Sequence, residues 1–273
     1  MTINCKGQLI NLSAPKVMGI LNLTPDSFYD GGRYNNQDEI LQQTEKMLHD
    51  GATFIDVGAY SSRPGAAHVS ETEELERILP VLHMLLESFP EILISIDTFR
   101  SQVAKACINA GACMINDISA GHLDKAMLNT IAQLNVPYIM MHSRGTPQTM
   151  QQLTDYEDLV KDILFYFSER IAKARKLGLV DLIIDPGFGF AKTIPQNFEL
   201  LHKLELLHMA ELPILIGLSR KSMIYKTLNT TSEKALNGTT ALNMMALHKG
   251  AHILRVHDVK EAMECINLSS ALN

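Results

Sequence analysis

The stretch LIIDPGFGF (182–190) contains the pattern that decides the fold. An apolar run ends abruptly in an aspartate, a proline and two glycines. A short apolar run followed by polar residues and glycines occurs eight times along the chain. The eight runs are Val17–Leu21, Thr53–Val57, Ile92–Ile96, Cys113–Ile115, Tyr138–Met141, Leu182–Ile184, Ile214–Ile216 and His252–Val256. Runs that are apolar at nearly every position are typical of parallel strands covered on both faces.

Amphipathic segments lie between these runs. Two of them place apolar side chains at steps of three and four residues: Leu75, Ile78, Leu79, Leu82 and Leu86, then Leu159, Ile163, Phe167, Ile171 and Ala174. Such spacing indicates helices with one buried face. Eight alternations of strand and helix predict a (β/α)₈ TIM barrel of the α/β class, with a doubly wound open sheet as the alternative. Because no linker or low-complexity tract divides residues 1–273, we expect a single domain.

Composition limits the classes of function. The 273 residues are 46% hydrophobic and 20% charged, which is typical of a folded protein. The four cysteines lack zinc-site spacing, so we expect free thiols in a cytoplasmic, reducing compartment. The first residues lack the features of a signal peptide, and no apolar run approaches the ~20 residues that span a bilayer. A net charge of −6 without a basic run argues against nucleic acid and membrane partners but not against small anionic substrates.

Polar residues follow every apolar run, and in a barrel they would all meet at the mouth where active sites lie. Asp97 and Asp185 each end a run, although either could be only a cap for the next helix. Together with Asn116 they would offer hydrogen-bond acceptors and an amide. This set suits an amino-pyrimidinone edge, which presents adjacent N–H donors and a carbonyl.

Two further clusters predict anion binding. Ser219 is a candidate N-cap for a helix whose N-terminus would bind carboxylate or phosphate. Lys221 would lie just inside that helix, unless it is only a solvated surface lysine. Arg255 and His257 are two residues apart on an extended segment, so both side chains point to one side and could hold a diphosphate. The alternative is a structural salt bridge with a neighbour such as Asp258.

The glycines of the quoted stretch do not form a dinucleotide-binding loop. Lys192 stands where the third glycine of that motif would be required. We interpret Gly187 and Gly189 as a tight turn that lets a planar ligand approach. Phe188 or Phe190 would supply a stacking face, unless it belongs to the core.

The ordered set of clusters closely resembles the dihydropteroate synthase family from about Met18 to Val259. The matching segments are MGILNLTPDSF (18–28), SRPGA (62–66), IDT (96–98), IND (115–117), MMH (140–142), DPGFGF (185–190), GLSRKS (217–222) and ILRVHDV (253–259). The resemblance implies a transferase of folate synthesis that joins 4-aminobenzoate to a pterin methyl diphosphate. It also implies a homodimer, Mg²⁺ dependence and inhibition by sulfonamides. One departure is Tyr60, which replaces a common acid.

The resemblance also implies roles for individual residues. Asn22 would ligate Mg²⁺, and Ser222 would face the aminobenzoate carboxylate. The catalytic residues would be Lys221, Arg255, His257 and Arg63. The substrate-binding residues would be Ser62, Asp97, Asn116, Met140, Asp185, Phe190, Gly217, Ser219, Lys221, Ser222, Arg255 and His257.

The expected chemistry is loss of diphosphate from the pterin methylene by a dissociative route. The aryl amine is unprotonated at neutral pH, so no general base is assigned. Loops after the first two strands are expected to close over the site. Two alternatives remain: a pterin-binding methyltransferase, which would not need the diphosphate and carboxylate clusters, and a non-catalytic pterin-binding barrel, which would bind without turnover.

Overall fold

The computed structural model describes residues 1–23, 35–60 and 69–272, with the side chains of residues 35 and 36 excluded. Its strands are β1 (Thr2–Cys5), β2 (Gln8–Asn11), β3 (Lys16–Asn22), β4 (Phe54–Gly58), β5 (Ile94–Asp97), β6 (Met114–Asp117), β7 (Tyr138–Met141), β8 (Leu182–Asp185), β9 (Leu215–Ile216) and β10 (Ile253–Val256). Each of the eight predicted runs overlaps one of the strands β3 to β10, and five of these strands extend beyond the predicted run. The hairpin of β1 and β2 was not predicted.

The eight strands form one parallel sheet that closes on itself. Their order is β8-β7-β6-β5-β4-β3-β10-β9. The two ends of this order meet at a parallel bridge between Ile184 and Ile214, where the Ile184 amide donates to the Pro213 carbonyl at 3.0 Å. An open sheet would leave those edges apart, so the predicted TIM barrel is confirmed.

Helices cover the outside of the barrel. They are α1 (Asn35–His49), α2 (Glu71–Ser88), α3 (Ser101–Asn109), α4 (Met127–Leu134), α5 (Leu159–Lys176), α6 (Ile194–His202), α7 (Ser222–Thr227), α8 (Leu236–His248) and α9 (Val259–Ser270), with 3₁₀ turns at Met150–Gln152 and Leu204–Ala210. Capping side chains fix several helix starts: Ser70 accepts the Glu73 amide of α2, and Thr193 forms a capping box with Gln196 at α6. Among the described residues, none of the helices combines the length and apolarity needed to cross a membrane.

The inner face of the sheet is apolar at its base. The inner residues there form a core cluster separate from the one beneath the helices: Met18, Phe54, Leu93, Cys113, Met114, Ile139, Ile183, Leu215 and Ile253. The β1–β2 hairpin inserts Ile3, Cys5 and Ile10 into this cluster and so closes the bottom of the barrel. We call this cluster, with the hairpin side chains, the base layer. It is buried and has few polar atoms, so its contribution is to stability.

The same inner face becomes polar toward the strand ends. Side chains two residues apart on a strand share a face, so Phe54 is followed by Asp56, Met114 by Asn116, Ile183 by Asp185 and Ile253 by Arg255. On β5, Asp97 lies on the inner face opposite Asn116 of β6. We call Asp56, Asp97, Asn116, Asp185 and Arg255 the mouth layer.

Candidate active site

Arg255 stands at the centre of the mouth layer and joins two carboxylates. Its Nε donates to Asp56 Oδ2 at 2.6 Å, and its Nη2 donates to Asp97 Oδ2 at 2.8 Å. The alternative, a structural salt bridge with an acidic neighbour, forms with Asp56 and Asp97 and not with Asp258, which pairs with Arg220 at 2.6 Å and 2.9 Å. The guanidinium of Arg255 is therefore shared between two carboxylates of the mouth layer.

Asp56 is a member of the site that the sequence interpretation missed. It is fully buried within β4, and its Oδ2 also accepts from Asn116 Nδ2 at 3.0 Å. Among the described residues, none donates a hydrogen bond to its Oδ1. A carboxylate inside a strand that is covered on both faces needs a partner, and that rule could have identified Asp56 from the sequence.

Asp97 is a site carboxylate and not a helix cap. Helix α3 begins after Arg100 without a side-chain cap, and the Ser101 amide donates to Asp124 Oδ2 at 2.7 Å instead. Burial is the largest effect on Asp97 and raises its pKa to about 7, although the guanidinium of Arg255 lowers it. Burial therefore favours the protonated form of Asp97, and its ion pair with Arg255 favours the charged form.

Asp185 shapes the turn that follows β8. Its Oδ1 accepts the Gly187 amide at 2.7 Å, so it caps a turn and not helix α6, whose cap is Thr193. Gly187 has a φ of +70°, and a Cβ there would lie 2.1 Å from the His142 carbonyl oxygen. Only glycine fits this position. Burial raises the pKa of Asp185, and the ammonium of Lys221 is the strongest opposing influence.

Lys221 faces the site and is not a solvated surface lysine. Its Nζ donates to the Phe188 carbonyl and lies 4.8 Å from the centre of the Phe190 ring, within the range of a cation–π contact. Burial lowers its pKa to about 8, and Asp185 opposes that effect. Phe188 is fully buried in the core. Phe190 is partly exposed beside Lys221, and it is the stacking candidate.

The prediction that Ser219 caps a helix is wrong. Helix α7 begins at Ser222, with Lys221 in the N-cap position and no side-chain cap. The chain turns sharply before it, because Arg220 has a φ of +55°. Ser219 Oγ instead contacts His257 Nδ1 at 2.9 Å and accepts the His257 amide at 3.2 Å. Ser219 therefore orients the imidazole of His257.

Met140 does not lie on the inner face of the barrel. It is fully buried in the cluster beneath the helices, on the same face of β7 as Tyr138, whose hydroxyl donates to Asp117 at 2.6 Å. Alternation along the strand gives Met141 the inner position. Met140, which was predicted to bind substrate, therefore faces the helices and not the mouth.

The remaining predicted residues lie around the mouth or outside the described residues. Asn22 ends β3 opposite Gly58 of β4, and Ser222 is the first residue of α7. A Cβ placed on Gly217 would stand 4.0 Å from Lys221 Nζ. Ser62 and Arg63 lie outside the described residues.

Tyr60 belongs to a rim cluster. Its ring meets Phe99 edge to face at a centroid distance of 5.1 Å, and the Arg100 guanidinium carbon lies 5.3 Å from the centre of its ring. Its hydroxyl accepts from Gln148 Nε2 at 3.1 Å. Tyr60 thus ties the end of β4 to the loop after β7.

Comparison with known proteins gives one consistent family. A model of the pterin binding enzyme family matches residues 18–257. The dihydropteroate synthase of Escherichia coli K12 is 42% identical over 273 residues, covering 99% of this chain and 96% of that protein. The Yersinia pestis dihydropteroate synthase, solved with a sulfonamide drug complex, superimposes with a TM-score of 0.93 at 43% identity, covering 100% of this chain and 99% of that one. The Xanthomonas albilineans enzyme with 4-aminobenzoic acid gives a TM-score of 0.92 at 36% identity, covering 99% and 97%.

Proposed function

We propose that this chain, which belongs to the dihydropteroate synthases of the pterin binding enzyme family, binds its pterin substrate in the mouth layer. The chain is a transferase that joins 4-aminobenzoate to (7,8-dihydropterin-6-yl)methyl diphosphate and releases pyrophosphate in folate synthesis. The main observation in support of this site is that Asp97, Asn116 and Asp185 lie on the inner face of the barrel, at the ends of strands β5, β6 and β8.

The mouth layer has the acceptors that a pterin edge requires. Asp185 uses Oδ1 to hold its own turn, and we propose that its other oxygen receives N–H donors of the ligand. Asn116 directs its amino group to Asp56, so its carbonyl oxygen is available to the ring.

Cations at the rim would stabilise the departing diphosphate. Negative charge grows on the leaving oxygens as the methylene–oxygen bond breaks, and preorganised donors near those oxygens lower the barrier. His257 and Arg255 are the described residues that we assign to this role, with Arg63 as a further candidate outside the described residues, whereas Lys221 is assigned to the pterin. Ser219 contributes by orienting His257, and Gly217 leaves room for the Lys221 side chain. We assign no general base, because the arylamine attacks in its neutral form.

Mg²⁺ is the proposed cofactor, with Asn22 as its protein ligand. Within the described residues no three His, Cys, Asp or Glu side chains converge as a metal site. Mg²⁺ usually keeps several waters and takes one or two protein ligands together with substrate phosphates. One amide oxygen at the end of β3 therefore fits a metal that is held mainly by diphosphate. When bound, the ion would neutralise charge on the leaving group.

The second substrate would enter above the pterin. We propose that Ser222, the first residue of α7 after Lys221, borders the site of 4-aminobenzoate, whereas Ser62, outside the described residues, is proposed to lie near the diphosphate. A sulfonamide that imitates 4-aminobenzoate would occupy the same place. The sulfonamide and 4-aminobenzoic acid complexes of the Yersinia pestis and Xanthomonas albilineans enzymes support this assignment.

The assay that tests the proposed function measures pyrophosphate release. We expect release only when both 4-aminobenzoate and the pterin diphosphate are present with Mg²⁺, and inhibition by a sulfonamide that 4-aminobenzoate relieves. Release with the pterin diphosphate alone would indicate a hydrolase. Pterin binding without any release would indicate a non-catalytic barrel.

The state of the protein in the cell is also a proposal. We propose a cytoplasmic homodimer in which each chain is one domain. The four cysteines are buried and free, as a reducing compartment allows. Met245 of α8 and Leu268 of α9 are exposed apolar side chains on helices that pack together, and a partner could cover them. Light scattering on the purified protein measures the mass and tests the dimer.

A further inference from the structure

Lys192 is a buried lysine on the side of the Asp185–Phe190 turn away from Lys221. It is only 4% exposed. Its Nζ lies 3.0 Å from each of three atoms: the carbonyl oxygens of Gly187 and Phe190, and Nδ1 of His142. An ammonium has three N–H donors, so these three acceptors match its protonated form when His142 Nδ1 carries no proton. Burial lowers the pKa of Lys192, and the carboxylate of Asp185 is the largest influence that raises it.

Two lysines hold this turn through its main-chain carbonyls. Lys221 donates to the Phe188 carbonyl from the pocket side, whereas Lys192 donates to the carbonyls before and after it. The turn has little freedom to move away, because the Gly187 amide is bound to Asp185 Oδ1 and the His142 amide donates to the Asp185 carbonyl at 2.8 Å. Lys192 is therefore one of the groups that hold the turn between Asp185 and Phe190 in its orientation.

We propose that Lys192 is a positioning residue for the pterin, which it serves without touching the ligand. By holding the Gly187 and Phe190 carbonyls, it fixes the carboxylate of Asp185 for the ligand edge and the ring of Phe190 for the ligand face. A lysine that only stabilised the fold could be replaced without changing pterin affinity in the molecules that remain folded. The inference rests on the proposed pterin site, and its test separates the two.

The experiment replaces the ammonium by an apolar group of similar length. Lys192→Met removes all three donors, and Lys203→Met is the matched control, because Lys203 is exposed and pairs with Glu199 at 2.7 Å after helix α6. Isothermal titration measures two ligands on each protein: 6-hydroxymethylpterin, which lacks the diphosphate, and pyrophosphate with Mg²⁺. Circular dichroism and thermal melts give the folded fraction.

We expect Lys192→Met to weaken pterin binding on the order of 10-fold or more, the scale of lost charge-assisted hydrogen bonds, and to change pyrophosphate binding by less than about 3-fold. Lys203→Met should change neither affinity. In Lys192→Ala, added methylammonium should restore part of the pterin affinity, and it should have no effect on Asp185→Asn. If the methionine variant does not fold, Lys192→Gln, which keeps an amide donor, is measured in its place and should show a smaller loss of the same selectivity.

Two results would overturn the inference. Pterin affinity within about 3-fold of the wild type in a folded Lys192 variant would make the residue structural only. Equal losses of pterin and pyrophosphate affinity would indicate a general disturbance of the mouth. A wild-type protein that binds no pterin would overturn the proposed site itself, whatever the Lys192 variants do.

Discussion

The base layer and the mouth layer lie on the same inner face of the same strands, two to four residues apart along a strand. The base layer is apolar and stabilises the fold, whereas the mouth layer is charged and polar. Phe54, Ile183 and Ile253 are fully buried and have no polar side-chain atoms, so their burial stabilises the fold. Asp56, Asp185 and Arg255 follow them at the next inner positions. Burial raises the pKa of Asp185 and so disfavours its charged form, and the ammonium of Lys221 opposes that effect. One strand thus supplies stability at its start and chemistry at its end.

The largest expected effect comes from removing the central cation of the mouth layer. Arg255→Ala leaves the fully buried Asp56 without its partner, which should cost about 3–5 kcal/mol of unfolding free energy. Turnover of the folded protein should fall at least ~100-fold. Denaturant melts and steady-state kinetics measure both quantities. Arg220→Ala, which breaks the more exposed pair with Asp258, should cost about 0–1 kcal/mol. Equal stability losses in the two variants would show that the buried ion pairs of Arg255 contribute no more to stability than the more exposed pair of Arg220.

A base-layer variant should affect stability alone. Phe54 is fully buried at the bottom of the barrel, and Phe54→Ala should cost about 3–5 kcal/mol through lost burial and a cavity. Affinity for 6-hydroxymethylpterin, corrected for the folded fraction, should stay at the wild-type value. A folded Phe54→Ala protein with weakened pterin binding would show that the base layer also contributes to pterin binding.

Substitutions of the mouth carboxylates should weaken pterin binding and leave stability nearly unchanged. Asp97→Asn and Asp185→Asn keep the size of the side chain and lose its charge, so pterin affinity should fall on the order of 10-fold or more. Melting temperatures should change little, because the Asn carbonyl oxygen can still accept from Arg255 at position 97 and from the Gly187 amide at position 185. Unchanged pterin affinity in both variants would exclude these residues from the site, and large losses of stability would make them structural.

The smallest expected effect is a pH dependence. Burial raises the pKa of Asp97 to about 7, so the group becomes protonated as the pH falls below that value and loses its strength as an acceptor. Pterin affinity should therefore rise between pH 6 and pH 8, by at most ~10-fold for one pH unit. The stability of the free protein should carry the opposite sign, because ionising a carboxyl whose pKa is raised by folding destabilises the folded state. Titrations of wild type and Asp97→Asn at three pH values test this: a dependence that persists in Asp97→Asn belongs to another group.

The sequence could predict the strands of the barrel for a physical reason. Each strand is covered by side chains inside and helices outside, so it appears as a continuous apolar run whose end is marked by polar residues. Asp97, Asn116 and Asp185 follow such ends and were predicted as neighbours, and the structure brings them to one mouth. The hairpin of β1 and β2 was missed because its two strands have four residues each and carry exposed polar side chains.

Details of pairing could not be read from the sequence. The partners of Arg255 are Asp56 and Asp97, which lie 199 and 158 residues away, while the acid nearest in sequence, Asp258, pairs elsewhere. Strand β7 is buried on both faces, so its sequence does not show which residues point inward. The structure gives the inner position to Met141 and not to Met140. Ser219 resembled a cap, but the left-handed turn at Arg220 moved the helix start to Ser222.

A crystal structure of the protein with 6-hydroxymethylpterin tests the central claim most directly. We expect the N–H edge of the pterin to lie about 3 Å from Asp185 and Asn116. The pterin ring should lie beside Phe190 and Lys221, and the base layer should be unchanged from the ligand-free form. A pterin bound anywhere other than the mouth layer, or one whose N–H groups contact neither Asp185 nor Asn116, would contradict the proposed pterin site.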